Sequence, residues 1–295
     1  MSGGGEKSGA TKVPKSAASW RAKAAGAAEI LLGDKLSLAC ALFVILAAAA
    51  CIAAPILAPY GYDAQDLALG ASAPSLEHPF GTDMLGRDLL SRILYGGRVS
   101  FAVGALATLV AAVIGVSYGV VSAMCGGRTD SVMMRIVDIA YSLPFTIFVI
   151  LLTVVFGRSV WLIFAAIGAV EWLTMARIVR ACALDVKSRA YVEAATALGE
   201  SKFGIVMRHI LPNISAPILV CAALTVPSVM LLESFLSFLG LGVQAPLPSW
   251  GALIKDGAEY MEDAPWMLIF PALFFSLTLF ALNRIGEALS RGSDE

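Results

Sequence analysis

Residues 99–124 read VSFAVGALATLVAAVIGVSYGVVSAM, a run with no Asp, Glu, Lys or Arg. A bilayer core takes about 20 apolar residues per helix, so this stretch is expected to span a membrane. The rest of the chain carries the same pattern. Of its 295 residues 58% are apolar and 15% charged, where a soluble domain carries about a quarter charged. The charges are bunched between apolar runs, as in a chain whose outer surface meets lipid.

Working outward, six spans are expected, at about residues 36–57, 99–124, 132–156, 160–184, 216–239 and 266–285. The fold class is therefore an all-α integral membrane protein. Only Gly157, Arg158 and Ser159 separate the third span from the fourth, which predicts a tight helical hairpin. Glu171, Arg177 and Arg180 interrupt the fourth span. Residues 1–35 are rich in Gly, Ser, Ala and Lys and are expected to form a disordered tail. The first apolar run is longer than the core of a cleaved signal, which is 7–15 residues. Three regions follow: the tail at 1–35, a first span with its following segment at 36–98, and a helical core at 99–290.

Lys and Arg set the orientation. With the N-terminus inside, sixteen of the 21 fall on the inner side, and Arg87, Arg92, Arg98, Arg158 and Lys255 on the outer. Both termini are thus expected to be cytoplasmic. Net charge is −1, and no basic face interleaved with aromatics points to nucleic acid. The five cysteines have no C-x-x-C spacing and read as small buried hydrophobes; His78 and His209 have no metal-ligand spacing.

Residues 58–98 and 240–265 are expected outside. In the first, Leu85, Leu89, Leu90, Ile93 and Leu94 recur at helical spacing, with Asp88 and Arg92 at i and i+4. This describes a short helix either in the membrane interface or packed on the bundle. The second holds Asp256, Glu259, Glu262 and Asp263, which are either solvated or face a soluble partner.

The cytoplasmic loop between the fourth and fifth spans reads RACALDVKSRAYVEAATALGESKFGIVMRHILPN over 180–213. Tyr191–Leu198 is expected to be a short helix, ended by Gly199 with positive φ. A second amphipathic piece with Phe203, Ile205, Val206, Ile210 and Leu211 on its apolar side is expected to stop at Pro212. Such a lever would transmit a push from a soluble domain into the spans.

Glu193-Ala194-Ala195, Gly199 four residues later and then Ile210-Leu211-Pro212 resemble the EAA loop of ABC importer permeases. His78-Pro79-Phe80-Gly81-Thr82-Asp83 with Gly86-Arg87-Asp88, and Leu236-Ser237-Phe238-Leu239-Gly240-Leu241-Gly242 with Pro248-Ser249-Trp250-Gly251, are similar to the dipeptide/oligopeptide/nickel permease family. The single span before the H-P-F-G-T-D stretch resembles the "C" member of a two-permease pair. The resemblance runs from about residue 30 to 290. It departs at Trp172, followed here by Leu173 where the family has proline, and at Glu171, where it has a small or neutral residue.

The resemblance implies a type I importer permease in the bacterial cell membrane. It implies a homologous second permease, two cytoplasmic ATPase subunits and an extracytoplasmic solute-binding protein as partners. Glu193, Ala194, Ala195, Gly199, Ile210, Leu211 and Pro212 would couple to the ATPase. The chain has no G-x-x-x-x-G-K-[ST] loop and no catalytic constellation, so ATP and Mg would be used by the partners and no cofactor is expected on this chain. Short peptides are the expected cargo, with nickel chelate or another small solute as the alternative. A secondary transporter would be expected to be longer and internally repeated.

Asp138, Glu171 and Glu233 fall within expected spans, where ionisable groups tend to face the bundle interior or a wet cavity. Asp138 is expected to pair with Arg135. Glu233, with Ser234 beside it, either lines the translocation path or makes a structural hydrogen bond to a neighbouring helix. Glu171 is either interfacial or a substrate contact.

Overall fold

The computed structural model describes residues 33–156 and 160–294. The tail through residue 32 and the turn expected at 157–159 lie outside the described residues. Among the described residues, helix α1 (Lys35–Ile52) starts where Asp34 accepts from the Leu36 amide and the Ser37 hydroxyl. The same carboxylate meets Arg284 at 2.6 Å, which ties α1 to the last helix. A short turn of helix, α2 (Ala54–Leu57), follows.

Residues 58–88 contain no helix. They are held by side chains bonding to backbone: Thr82 Oγ1 donates to the Gly70 carbonyl at 2.7 Å and accepts from Ser72 N at 2.8 Å. Asp88 then caps α3 (Leu89–Cys125) by accepting from Ser91 N at 2.7 Å. No separate interfacial helix precedes the second span, because the Leu89–Leu94 stretch is its first turns. The 37 residues of α3 measure about 55 Å, well beyond a hydrocarbon core of about 30 Å.

The third expected span is two helices, α4 (Gly127–Ser142) and α5 (Phe145–Phe156). Pro144 is the cause. A residue before proline is pushed out of the helical region, and Leu143 has φ −74° and ψ 129°. The fourth expected span is one unbroken helix, α6 (Val160–Lys187), with Glu171, Arg177 and Arg180 on it. Its 28 residues reach about 42 Å.

After α7 (Ala190–Ala197) comes α8 (Lys202–Ile205), a π turn at Val206–Ile210 and α9 (Leu211–Phe238). Pro212 does not stop this run. The backbone widens just before it, with Leu211 N bonding to the Val206 carbonyl, and the helix carries on through Pro217 and Pro227. Two side chains also bond to carbonyls near it: Asn213 Nδ2 donates to His209 O, and Ser215 Oγ to Pro212 O. Two more helices, α10 (Trp250–Glu259) and α11 (Trp266–Asp294), complete the chain.

Among the described residues, four helical stretches are long and apolar enough to cross a bilayer: Lys35–Ile52, Leu89–Cys125, Lys202–Phe238 and Trp266–Arg291. Their large apolar side chains point outward in number, including Ile45, Leu109 and Ile269. The inside is built from small residues. Ser100, Gly104, Ala107, Ala111, Gly115, Gly119 and Ser122 form a buried seam on α3 at three- and four-residue spacing. A Cβ on Gly115 would sit 2.6 Å from Met175, and one on Gly119 2.6 Å from the Ala176 carbonyl. Only glycine lets α3 and α6 approach this closely.

Candidate functional site

The loop between α6 and α9 is a folded unit seated on the bundle. Its helix α7 ends in a Schellman motif: Glu200 N bonds to Ala195 O, and Gly199 N to Thr196 O. Gly199 takes φ +85° with open space around it, as its position in the sequence predicts. Glu200 turns back to meet His209 at 2.9 Å and Arg208 at 3.1 Å. These partners, His209 first, hold its carboxyl below the usual glutamate range. Val192, Ile205, Ile210 and Ile214 pack with Val120, Met175 and Val179 in one cluster. The loop is therefore continuous with the cores of α3, α6 and α9.

Of the seven coupling residues expected from sequence, Glu193, Ala194 and Gly199 are exposed and Ala195 is half-buried. Ile210 and Pro212 are buried and Leu211 is half-buried, so the I-L-P part faces inward as an anchor. Two further residues of the loop stand out by their exposure. Leu198 is 89% exposed and Phe203 75% exposed, on either side of the Gly199 turn. Their signal in the sequence was a Leu and a Phe flanking a turn.

Nearby, Asp130 grips Arg180 through both carboxylate oxygens and accepts from Ser122 Oγ at 2.6 Å. Arg180 and then Ser122 hold its carboxyl down to about 2. Lys187 Nζ donates to the Ala123 carbonyl at 2.7 Å at the end of α3. Asp138 meets Arg177 of α6 at 2.9 Å and not Arg135. Helix packing supplies a guanidinium from 39 residues away in place of the local one.

Farther along the bundle, Glu171 and Thr174 of α6 and Thr225 and Ser228 of α9 line a groove of about 610 Å³. Glu171 is half-buried. Glu233 and Ser234 do not line this groove. Glu233 is fully buried and accepts from Ser237 Oγ at 2.8 Å, Ser100 Oγ at 3.2 Å and Ser234 Oγ at 3.5 Å. Ser249 lies 3.4 Å from Ser237, and Trp250 N donates to Ser100 Oγ. One carboxyl thus joins α3, α9 and the start of α10.

Residues 111–294 match the family model described as binding-protein-dependent transport system inner membrane component. The chain belongs to this family. Residues 26–74 also match the N-terminal TM domain of oligopeptide transport permease C. The Escherichia coli K12 oligopeptide transport system permease protein OppC is 51% identical over 88% of this chain and 87% of its own length. The Bacillus subtilis dipeptide transport system permease protein DppC is 42% identical over 88% and 82%. An inward-facing structure of the MetNI methionine ABC transporter shares the fold, with a TM-score of 0.54 at 20% identity, covering 68% of this chain and 97% of that one.

The serine cage makes a clear prediction for this permease. Glu233→Ala removes a buried acceptor and leaves a void and unpaired hydroxyls. It is expected to destabilise the folded chain by about 2–4 kcal/mol. Glu233→Gln keeps the volume and lets the serine hydroxyls rotate to suit an amide, at a loss of about 1 kcal/mol. Thermal midpoints in detergent separate the two; equal midpoints for all three proteins would dismiss the cage as a structural joint.

Proposed function

We propose that this chain forms half of the translocation pathway of an ATP-driven importer of short peptides. It would sit in the bacterial cell membrane with both termini cytoplasmic. A homologous permease supplies the other half. Two ATPase subunits use ATP and Mg, and an extracytoplasmic binding protein delivers the peptide. The peptide cargo is supported by 51% identity, across most of both chains, to a relative named for oligopeptide transport.

The observation that carries the mechanism is the seating of the α7 loop. Glu193, Ala194, Leu198 and Phe203 face outward, while Val192, Ile205 and Ile210 of the same loop lie in one core with α3, α6 and α9. A push on the exposed side is therefore delivered to α6 and α9, which with Ser290 of α11 line the groove. ATP binding would bring the two loops together and turn the cavity outward; hydrolysis would reset it. Glu171 would face cargo in the groove, and Glu233 with Ser234 would act on the path by holding α9 from behind.

Glu171 provides the test. Glu171→Gln, in the complex with its second permease and ATPases, should leave the ATPase bound and lower uptake of a labelled tri- or tetrapeptide about tenfold, the size of one charge-assisted hydrogen bond. Unchanged uptake would remove Glu171 from the path. Absence of ATP-driven peptide uptake by the unmutated complex would remove the peptide cargo.

A further inference from the structure

A second cavity, of about 760 Å³, opens between α1 and α3 near the N-terminal end of α3. Its size lies within the range of small-molecule sites, roughly 300–1,000 Å³. Ala48 and Ile52 of α1 and Ala102 and Leu106 of α3 form the apolar part. Tyr62 and Tyr95 stand at the other end with ring centroids 5.1 Å apart. Among the described residues Arg98 is the one charged residue of the lining. Its guanidinium lies 5.8 Å from the Tyr95 ring centroid, and it has no ion pair among the described residues.

The order of these groups along α3 is informative. Ala102 and Leu106 follow Arg98 by about 6 and 12 Å of helix rise, running into the stretch that crosses the hydrocarbon. Tyr95 lies one turn the other way. Polar aromatics and a cation thus sit at membrane-interface level, with an apolar slot leading inward from them. Tyrosine prefers that level, and Arg extends its head toward it. Arg98 is exposed and, among the described residues, no carboxylate lines the cavity, so its guanidinium is open to an anion from outside the chain.

Phosphate above and hydrocarbon below is the chemistry of a membrane phospholipid. We infer that this cavity holds one phospholipid of the leaflet at the α3 N-terminal end, its phosphate on Arg98 and an acyl chain against Ala102 and Leu106. The site adds a bound lipid to the transporter, at a place distinct from the α6–α9 groove, and rests on the membrane-spanning reading of α1 and α3.

The test uses the full-length chain in complex with its second permease and ATPases, in nanodiscs containing phosphatidylglycerol with a photoactivatable acyl chain. Cross-links mapped by mass spectrometry should concentrate at Ile52 and residues 102–106, above the level at Leu109, an exposed α3 residue outside the cavity. Arg98→Gln removes the phosphate partner, and Ala102→Trp fills the slot from an exposed position. Each should lower labelling at residue 106 at least fivefold while sparing Leu109. Equal labelling at 106 and 109, insensitive to both variants, would overturn the inference. So would a cysteine at 106 cross-linking to the second permease, which would make protein the occupant. Peptide uptake by the same discs is read separately: transporting discs without site-selective labelling reject only the lipid, and labelled discs without uptake reject only the transport reading.

Discussion

Asp83→Asn is expected to destabilise the permease by about 3–5 kcal/mol, the range for removing one partner of a buried ion pair. Asp83 is almost fully buried. Its Oδ1 accepts from the amides of Leu85 at 2.9 Å and Arg87 at 3.0 Å. Its Oδ2 meets the Arg87 guanidinium at 2.7 Å and also that of Arg92. Arg92 is 4% exposed, and its next carboxylate, Asp256, stands at 3.8 Å. The asparagine can keep the turn but leaves two guanidiniums facing each other with little compensation. The check is the thermal midpoint of the purified complex. Adding Arg92→Gln should restore part of the loss, because the two residues share one network. Additive losses would show that Asp83 acts independently of Arg92.

The second large effect is expected at the α7 loop. Ala195→Asp places a charge on the small-residue side of α7 and should lower ATPase copurification roughly ten- to hundredfold, equivalent to about 1–3 kcal/mol. Phe203→Ala tests the same contact from the far side of the turn and should weaken it similarly. Gly199→Val acts differently. The position has space for a side chain, so the strain comes from φ +85°, which opposes a β-branched residue by about 1–2 kcal/mol or more. Relaxing that strain breaks the Glu200–Ala195 bond and frees Glu200 from His209. Coupled uptake should then fall while the spans remain folded. Full ATPase binding and full uptake in all three variants would remove this loop as the transmission site.

Much of this architecture is local and therefore readable in the chain. Apolar runs with no charge imply spans because lipid offers no partner to a bare charge or peptide group. Gly199 announces its turn because a residue with positive φ rarely carries a Cβ. The loop between α6 and α9 is legible for the same reason, since its helix, turn and buried Ile210 and Pro212 follow within about twenty residues. The break at Pro144 was equally local, yet the apolar length of 132–156 masks it when hydropathy alone is counted.

Partner choice was not local. Asp138 has Arg135 on its own helix but bonds Arg177 on α6, and Arg92 is spaced for Asp88 but bonds Asp83. Asp88 instead spends its carboxylate on the first turn of α3 and on His78 at 2.9 Å. The cage around Glu233 draws Ser100 from 133 residues away. Which of two nearby charges wins depends on how closely segments approach and which rotamers that leaves. Pro212 shows the same limit: a residue expected to end a helix is absorbed by a π turn, because the helix on both sides of it is held by packing. The sequence by itself determined the helical, membrane-crossing character of the chain, the family and the place of the short loop helix with its Gly199 turn, since each is written in short-range pattern. Only the tertiary structure decided the ion pairs, the groove and the buried or exposed side of each loop residue, since these are set by contacts between segments far apart in the chain.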